Sequence, residues 1–316
     1  MGLDKFIAQY VSNNTSLVHV AVIGFPFDEG VKRNGGRVGS KHAPTSFRKM
    51  IRRAGTVVNP ENNINCSSLR IVDLGNVVID DETNLEEAHQ RLEEYVFKAF
   101  NILQAETVFV IGGGNDESFS NAKGLLRHVQ QFDKVGVVNI DAHLDVRDLK
   151  NGLHHSGSPF RRLLETDGFV GKHFVEFGAQ GTQCSQTHAN FVYEKEAKIY
   201  WLSKDIKDEQ SALPIFKKVI EEDFKNTEKI FVSFDLDCVS MSWASGVSCP
   251  SPLGLTAQNA LDIAFYSGNN SKVKLFDLSE YNPIIEEYNT GKLVAAIFVQ
   301  FVLGVASKTK IGSSTI

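Results

Sequence analysis

Eight short β-branched runs recur along the chain, near 18–25, 69–74, 107–111, 136–140, 173–177, 198–202, 229–234 and 273–278, and their apolar character is nearly continuous rather than alternating. A strand that does not alternate has no face to give to water. It must be covered on both sides, and the helix-like stretches between the runs, such as Glu86–Leu103 and Leu213–Lys225, supply the two covers. The pattern predicts an α/β fold: a three-layer α-β-α sandwich around a central, mostly parallel, eight-stranded sheet.

A length of 316 residues allows one or two domains. No linker, repeat or composition shift interrupts the strand-helix rhythm from residue 18 to about 303, so a single domain over 1–316 is expected. Two polar stretches, Asn59–Ser68 and Ser307–Ile316, read as loop and tail. The formal charge of -5 lacks the basic excess that a phosphate backbone requires, which argues against nucleic acid as a partner. The longest apolar run, Leu293–Ala306, is shorter than the roughly 18 residues of a membrane span and reads as a buried helix. Met1–Ser16 is polar and mixed, unlike a secretory leader, so a cytoplasmic, reducing location is expected. Cys66, Cys184, Cys238 and Cys249 form no CxxC pair and are expected to be packing thiols.

Parallel sheets bind ligands beyond the carboxyl ends of their strands. One run ends in Asp141-Ala142-His143-Leu144-Asp145 and another in Asp235-Leu236-Asp237. Positions i and i+2 share a strand face, so Asp141 can converge with His143 and Asp235 with Asp237. Four carboxylates gathered in one place repel one another unless cations lie between them, and two divalent ions would neutralise four aspartates. Carboxylates with a single imidazole make a hard ligand set that favours Mn²⁺ or Mg²⁺. A lone DxD is usually a turn or cap; two such clusters at strand ends favour a two-metal centre. A third end carries Gly112-Gly113-Gly114-Asn115-Asp116-Glu117, which matches no phosphate-binding fingerprint, and a fourth carries Glu280-Tyr281-Asn282-Pro283.

Taken in order, these four strand ends resemble the ureohydrolase family, the arginases, agmatinases and formiminoglutamases, which hydrolyse guanidine or amidine C–N bonds. The segment Arg33–Gly39 before Ala43-Pro44, the segment Ser156–Arg161 and the segment Gly246–Pro250 look most like formiminoglutamase. The resemblance implies an arginase-like fold and two Mn²⁺ ions bridged by Asp141 and Asp235. Asn115 and Asp145 would complete the first site, and His143 and Asp237 the second. Asn115 stands where the family usually has histidine, and a neutral amide oxygen binds more weakly than imidazole, so the first site should be weak.

The function so implied is hydrolysis of N-formimino-L-glutamate to glutamate and formamide, with the nucleophile a water whose pKa the bridged ions lower. Glu280 would hold the amidinium and Asp145 would relay a proton. Ser156 occupies the place where arginases and agmatinases put a histidine; His154 and His155 lie just upstream, either could be the proton carrier in its stead, and His154 is the first candidate. The substrate carboxylates call for guanidinium partners. Arg147 and Arg161 are the candidates, with Arg37 and Arg162 behind them. A small molecule is thus the expected partner, and the family implies a homo-oligomer, a trimer or hexamer. The alternatives are an arginase or agmatinase activity on a cationic substrate, and a non-catalytic binding or regulatory protein on the same fold.

Overall fold

The structure is a computed structural model and describes residues 2–14, 16–54 and 57–308. The strands are β1 Val18–Gly24, β2 Val58–Asn59, β3 Ile64–Asn65, β4 Ile71–Asn76, β5 Ala105–Ile111, β6 Val135–Ile140, β7 Phe174–Ala179, β8 Lys198–Trp201, β9 Lys229–Asp235 and β10 Val273–Ser279. The α-helices are α1 Leu3–Asn13, α2 Glu29–Asn34, α3 Ala43–Ile51, α4 Leu85–Asn101, α5 Glu117–Val129, α6 Pro159–Leu164, α7 Gln186–Glu194, α8 Glu209–Lys218, α9 Ala257–Asn269 and α10 Tyr288–Lys308. Eight strands form one sheet in the order β4-β1-β5-β10-β9-β6-β7-β8. Every pairing within it is parallel, so all eight carboxyl ends lie along one edge.

The eight apolar runs are these eight strands, and their residues divide between two cores. Val20 and Val22 of β1, Phe109 and Ile111 of β5 and Phe276 and Leu278 of β10 join Phe47 of α3, Phe216 of α8, Ile263 of α9 and Phe301 of α10 on one side. Ala21, Ile23, Val108, Val110 and Leu275, from the same strands, join Leu92 of α4, Leu125 of α5, Phe160 of α6 and Val192 of α7 on the other. This is the period-two division of a sheet buried on both faces.

Two polar stretches differ from expectation. Within Asn59–Ser68, Ile64 is buried against Leu303 and Ala306, which lets β2 and β3 pair as a small antiparallel hairpin beside α10. Ser307 and Lys308 continue α10, while 309–316 lie outside the described residues. The stretch Leu213–Lys225 begins earlier than expected, at Glu209, because Asp208 caps α8 by accepting from Ser211 N–H. Leu293–Ala306 is indeed interior to α10, whose Phe298 and Phe301 lie on the sheet against Phe109 at centroid distances of 5.0 and 5.4 Å.

At the centre of that core Phe276 stacks on Phe109 at 5.3 Å and on Phe234 at 6.1 Å, which ties together β5, β10 and β9. Phe276→Ala is expected to cost about 3–5 kcal/mol of unfolding free energy, measured as a lowered urea midpoint. A cost below about 1 kcal/mol would show that this stack does not hold the strands in register.

Candidate metal centre

Four adjacent strands in the middle of the sheet, β5-β10-β9-β6, carry the four motifs. Their common direction delivers Asn115, Glu280, Asp235, Asp237, Asp141, His143 and Asp145 to one edge. In each of the two Asp-x-Asp/His motifs the first carboxylate turns back on its own loop. Asp141 Oδ1 accepts from His143 N–H at 2.8 Å, and Asp235 Oδ1 accepts from Asp237 N–H at 2.8 Å. These Asx turns aim the second side chain of each pair into the same space. There His143 Nδ1 lies 3.3 Å from both Asp141 Oδ1 and Asp237 Oδ2.

Two acids reach the site through unusual backbone. Asp145 has φ 42° and Glu280 φ 63°, the left-handed region that costs a non-glycine residue about 1–3 kcal/mol. The surroundings hold Glu280 there: its N–H donates to Gly113 carbonyl at 2.8 Å and its Oε1 accepts from Asn115 N–H at 3.0 Å. Gly113 is required by close approach, because a Cβ there would stand 1.7 Å from the Phe27 carbonyl oxygen. The glycine run thus packs a turn against neighbouring backbone.

Asn115 donates from Nδ2 to Asp145 Oδ2 at 2.8 Å and to Asp141 Oδ2 at 3.3 Å. Its Oδ1 accepts from the Ser118 and Ser279 hydroxyls at 2.9 and 3.0 Å. The side chain sits where the sequence placed it, but it presents donors to the carboxylates, and a cation would need the amide turned to offer oxygen.

The electrostatics of the site are those of crowded acid. Burial, with Asp141 close by, pushes Asp145 up to about 8. Burial and the nearby Asp237 push Glu280 up to about 8, and burial, with Asp141 close by, outweighs the pull of His143 to lift Asp237 to about 6. Asp235 is driven well above its ordinary value by burial and by Asp237 and Asp141. Burial works against a charged His143, yet Asp237 and Asp141 outweigh it and hold the imidazolium well above its ordinary value. Asp237 Oδ1 and Glu280 Oε2 are buried with no hydrogen-bond partner. Oxygens left in this state fit divalent cations, and two of the donor clusters here, Asp141-His143-Asp145 and Asp141-Asp235-Asp237, are close enough to hold one each.

The cleft above these residues has a volume of about 250 Å³, below the roughly 300–1,000 Å³ of sites for drug-sized ligands. Arg147 and Arg37 line it; Arg161, Arg162 and His154 do not. Arg147 donates to Asn34 Oδ1 at 3.2 Å, and Asn34 donates to Ser156 Oγ at 3.1 Å. Arg37 is spent on the Val247 and Ser248 carbonyls at 2.6 and 3.0 Å. Arg161 instead pairs with Asp148 at 2.9 Å and Glu165 at 3.2 Å, over the Phe191 ring. Arg162 lies over Phe119 and against His89, which in turn bonds Asp116 at 2.8 Å. His154 is lowered to about 4 by burial and by Arg162, so it is a neutral imidazole outside the cleft. Proximity in sequence to the metal motif misled for both Arg161 and His154. Sequence reasoning also passed over Asn34, Ser248 and Cys249, all of which line the cleft. For Asn34 the signal was the Arg33–Gly39 segment itself; Cys249 was read as packing but is exposed.

Acids raised by the fold hold protons that the unfolded chain, with carboxyl values near 4, releases. Stability of the metal-free protein is therefore expected to fall as pH rises from about 5 to about 8, and an added divalent cation to restore it most at the alkaline end. Scanning calorimetry with chelator and with Mn²⁺ reads this; a melting temperature indifferent to both would refute a shared charge site.

The family model for the arginase family matches residues 18–304. A formimidoylglutamase of Aeromonas hydrophila is 30% identical over 284 residues, covering 89% of this chain and 85% of that protein. A formimidoylglutamase of Staphylococcus epidermidis is 32% identical over 277 residues, covering 87% and 83%. The crystal structure of Trypanosoma cruzi formiminoglutamase with Mn²⁺ superposes with a TM-score of 0.83 at 42% identity, covering 92% of this chain and 94% of that one. An arginase-like sheet, four site motifs on its central strands and a family match across nearly the whole described chain lead to one conclusion: this protein belongs to the arginase family.

Proposed function

We propose that the chain hydrolyses the amidine C–N bond of N-formimino-L-glutamate, yielding L-glutamate and formamide. One observation carries the reading: a cleft with an acidic floor, Asp145, Asp235, Asp237 and Glu280, has on its wall Arg147, a guanidinium in no ion pair among the described residues. Two Mn²⁺ ions, held by Asp141, His143, Asp145, Asp235 and Asp237 with Asn115 at the edge, supply Lewis-acid charge that makes water a nucleophile at neutral pH. The hard oxygen-rich donor set and its unpartnered oxygens fit that pair of ions.

The chain's own residues do the rest. Glu280 accepts from the amidinium N–H groups and fixes the carbon over the aspartates, its carboxyl held by Asn115 N–H and by the Ser248 hydroxyl. Arg147 takes a substrate carboxylate, with Asn34 and Ser156 setting the guanidinium in place. Asp145, which lines the cleft, relays a proton to the departing amine. Agmatine, whose far end is an ammonium, would meet Arg147 as a like charge, which disfavours an agmatinase activity. A cytoplasmic homo-oligomer agrees with the family and with four free thiols.

The purified, reduced protein, loaded with Mn²⁺, is expected to release glutamate and formamide from N-formimino-L-glutamate and to leave arginine and agmatine intact. Turnover of either guanidine in preference would overturn the substrate assignment. Arg147→Ala should raise KM about 10–100-fold while kcat holds within a few-fold, because the lost contact is present in the ground state. Equal losses in kcat and kcat/KM would move Arg147 to the reacting centre. Asn115→His should tighten Mn²⁺ about tenfold or more by calorimetric titration, since imidazole replaces a neutral amide. Unchanged affinity would remove Asn115 from the ligand set.

A further inference from the structure

We propose that the Cys249 thiol is a third donor beside His143 and Asp237, so that this corner of the cleft captures a thiophilic divalent cation, of the zinc, cadmium or cobalt kind, in preference to a hard one. Cys249 stands in the loop that follows β9, is exposed, and lines the same cleft as the metal centre. Its Sγ, a ring nitrogen of His143 and a carboxylate oxygen of Asp237 all lie within 4.8 Å of one another. Asp237 is 3% exposed, and its Oδ1 has no hydrogen-bond partner. The thiol and the imidazole therefore stand beside a buried carboxylate that has an oxygen left unpartnered.

A sulfur, a nitrogen and an oxygen with the cleft open on the fourth side match the coordination of a tetrahedral ion that keeps one position for solvent. Metal–sulfur and metal–nitrogen lengths of about 2.3 and 2.0 Å set the edges of such a tetrahedron near 3.3–3.7 Å, so closure requires a movement of about 1 Å. Cys249 can supply it cheaply. Its hydrogen bond to Gln183 Oε1 is long, at 3.7 Å, and the thiol faces solvent. Closure leaves a metal–thiolate bond and releases the thiol proton to water, together with the imidazolium proton of His143.

Neither of the other two donor clusters contains sulfur: one joins two carboxylates to the same imidazole, and the other is three carboxylates. The soft site shares His143 with one and Asp237 with the other, so a soft ion displaces the hard pair. Selectivity among first-row divalent ions follows ligand softness, and one thiolate is enough to tilt it toward zinc. The cleft thus carries a built-in susceptibility to soft metals that a chelator reverses. This inference rests on the metal centre assigned above and is independent of which amidine is the substrate.

The test is spectroscopic. The reduced, chelator-treated full-length chain is titrated with Co²⁺, and the near-ultraviolet thiolate-to-cobalt charge-transfer band is followed beside the visible ligand-field absorption that reports bound cobalt. The band is expected in the unaltered chain and in Cys184→Ser, and is expected to vanish in Cys249→Ser and in Cys249→Ala. The ratio of Zn²⁺ to Mn²⁺ affinity should fall about tenfold or more in both Cys249 variants. Cobalt bound without the band in the unaltered chain overturns the proposal, as does a band that survives in Cys249→Ser. No substrate enters the measurement, so a failed turnover assay and a failed thiolate assignment are told apart.

Discussion

Five carboxylates buried together at the carboxyl edge of β5, β10, β9 and β6 are the constraint on which the rest of this structure depends. Gathering like charge in a buried place carries a heavy dielectric penalty. The fold meets the cost with fixed dipoles. Asx turns at Asp141 and Asp235 bring backbone N–H groups onto two of the acids, and Asn115 brings an N–H onto Glu280 and an amide onto Asp145. Of the five acids, Asp237 Oδ1 and Glu280 Oε2 stay without a hydrogen-bond partner, which suits a cation site.

A second layer of polar residues below the floor holds the first in place. Ser118 donates to Asn115 Oδ1 and bridges to Asp277 and Ser233, while Asp277 also receives Asn121 and the Phe234 N–H. Asn139 does the same between Asp141 and Glu176. These are strand and helix positions, fully interior, and they lock the rotamers of the residues above them better than any loop could. The strained φ at Asp145 and Glu280 persists because this rigid layer, together with Gly113, leaves the two backbones no easier course.

The sheet and the acid cluster were legible in the chain because each is written in residue types at short spacing. Non-alternating β-branched runs identify buried strands, and a run ending in Asp-x-His-x-Asp or Asp-x-Asp identifies a strand end with ligands. What could not be read was direction beyond the strand ends. Arg147 and Arg161 both follow the metal motif in sequence, but α6 carries Arg161 outward to Asp148 and Glu165, whereas the loop before it turns Arg147 into the cleft. His154 and Ser156, two residues apart, part in the same way. The orientation of the Asn115 amide was equally hidden, because it is decided by Ser118 and Ser279, which come from a helix and a strand far apart in the chain.

Placement of charge in the cleft also constrains how a substrate must lie. Acid is confined to the floor, on the strand ends, and the unpaired guanidinium is on the wall, held by a residue of α2. A molecule that is cationic at one end and anionic at the other is therefore drawn in along one direction, and the reversed orientation sets like charge against like at both ends. Arg37 also lines the cleft, with its Nε and Nη2 donating to the Ser248 and Val247 carbonyls. The same bonds hold the loop that presents Ser248 to Glu280 and Cys249 to His143. A single arginine from the segment after α2 thus holds the loop that carries Ser248 beside Glu280 and the Cys249 thiol beside His143.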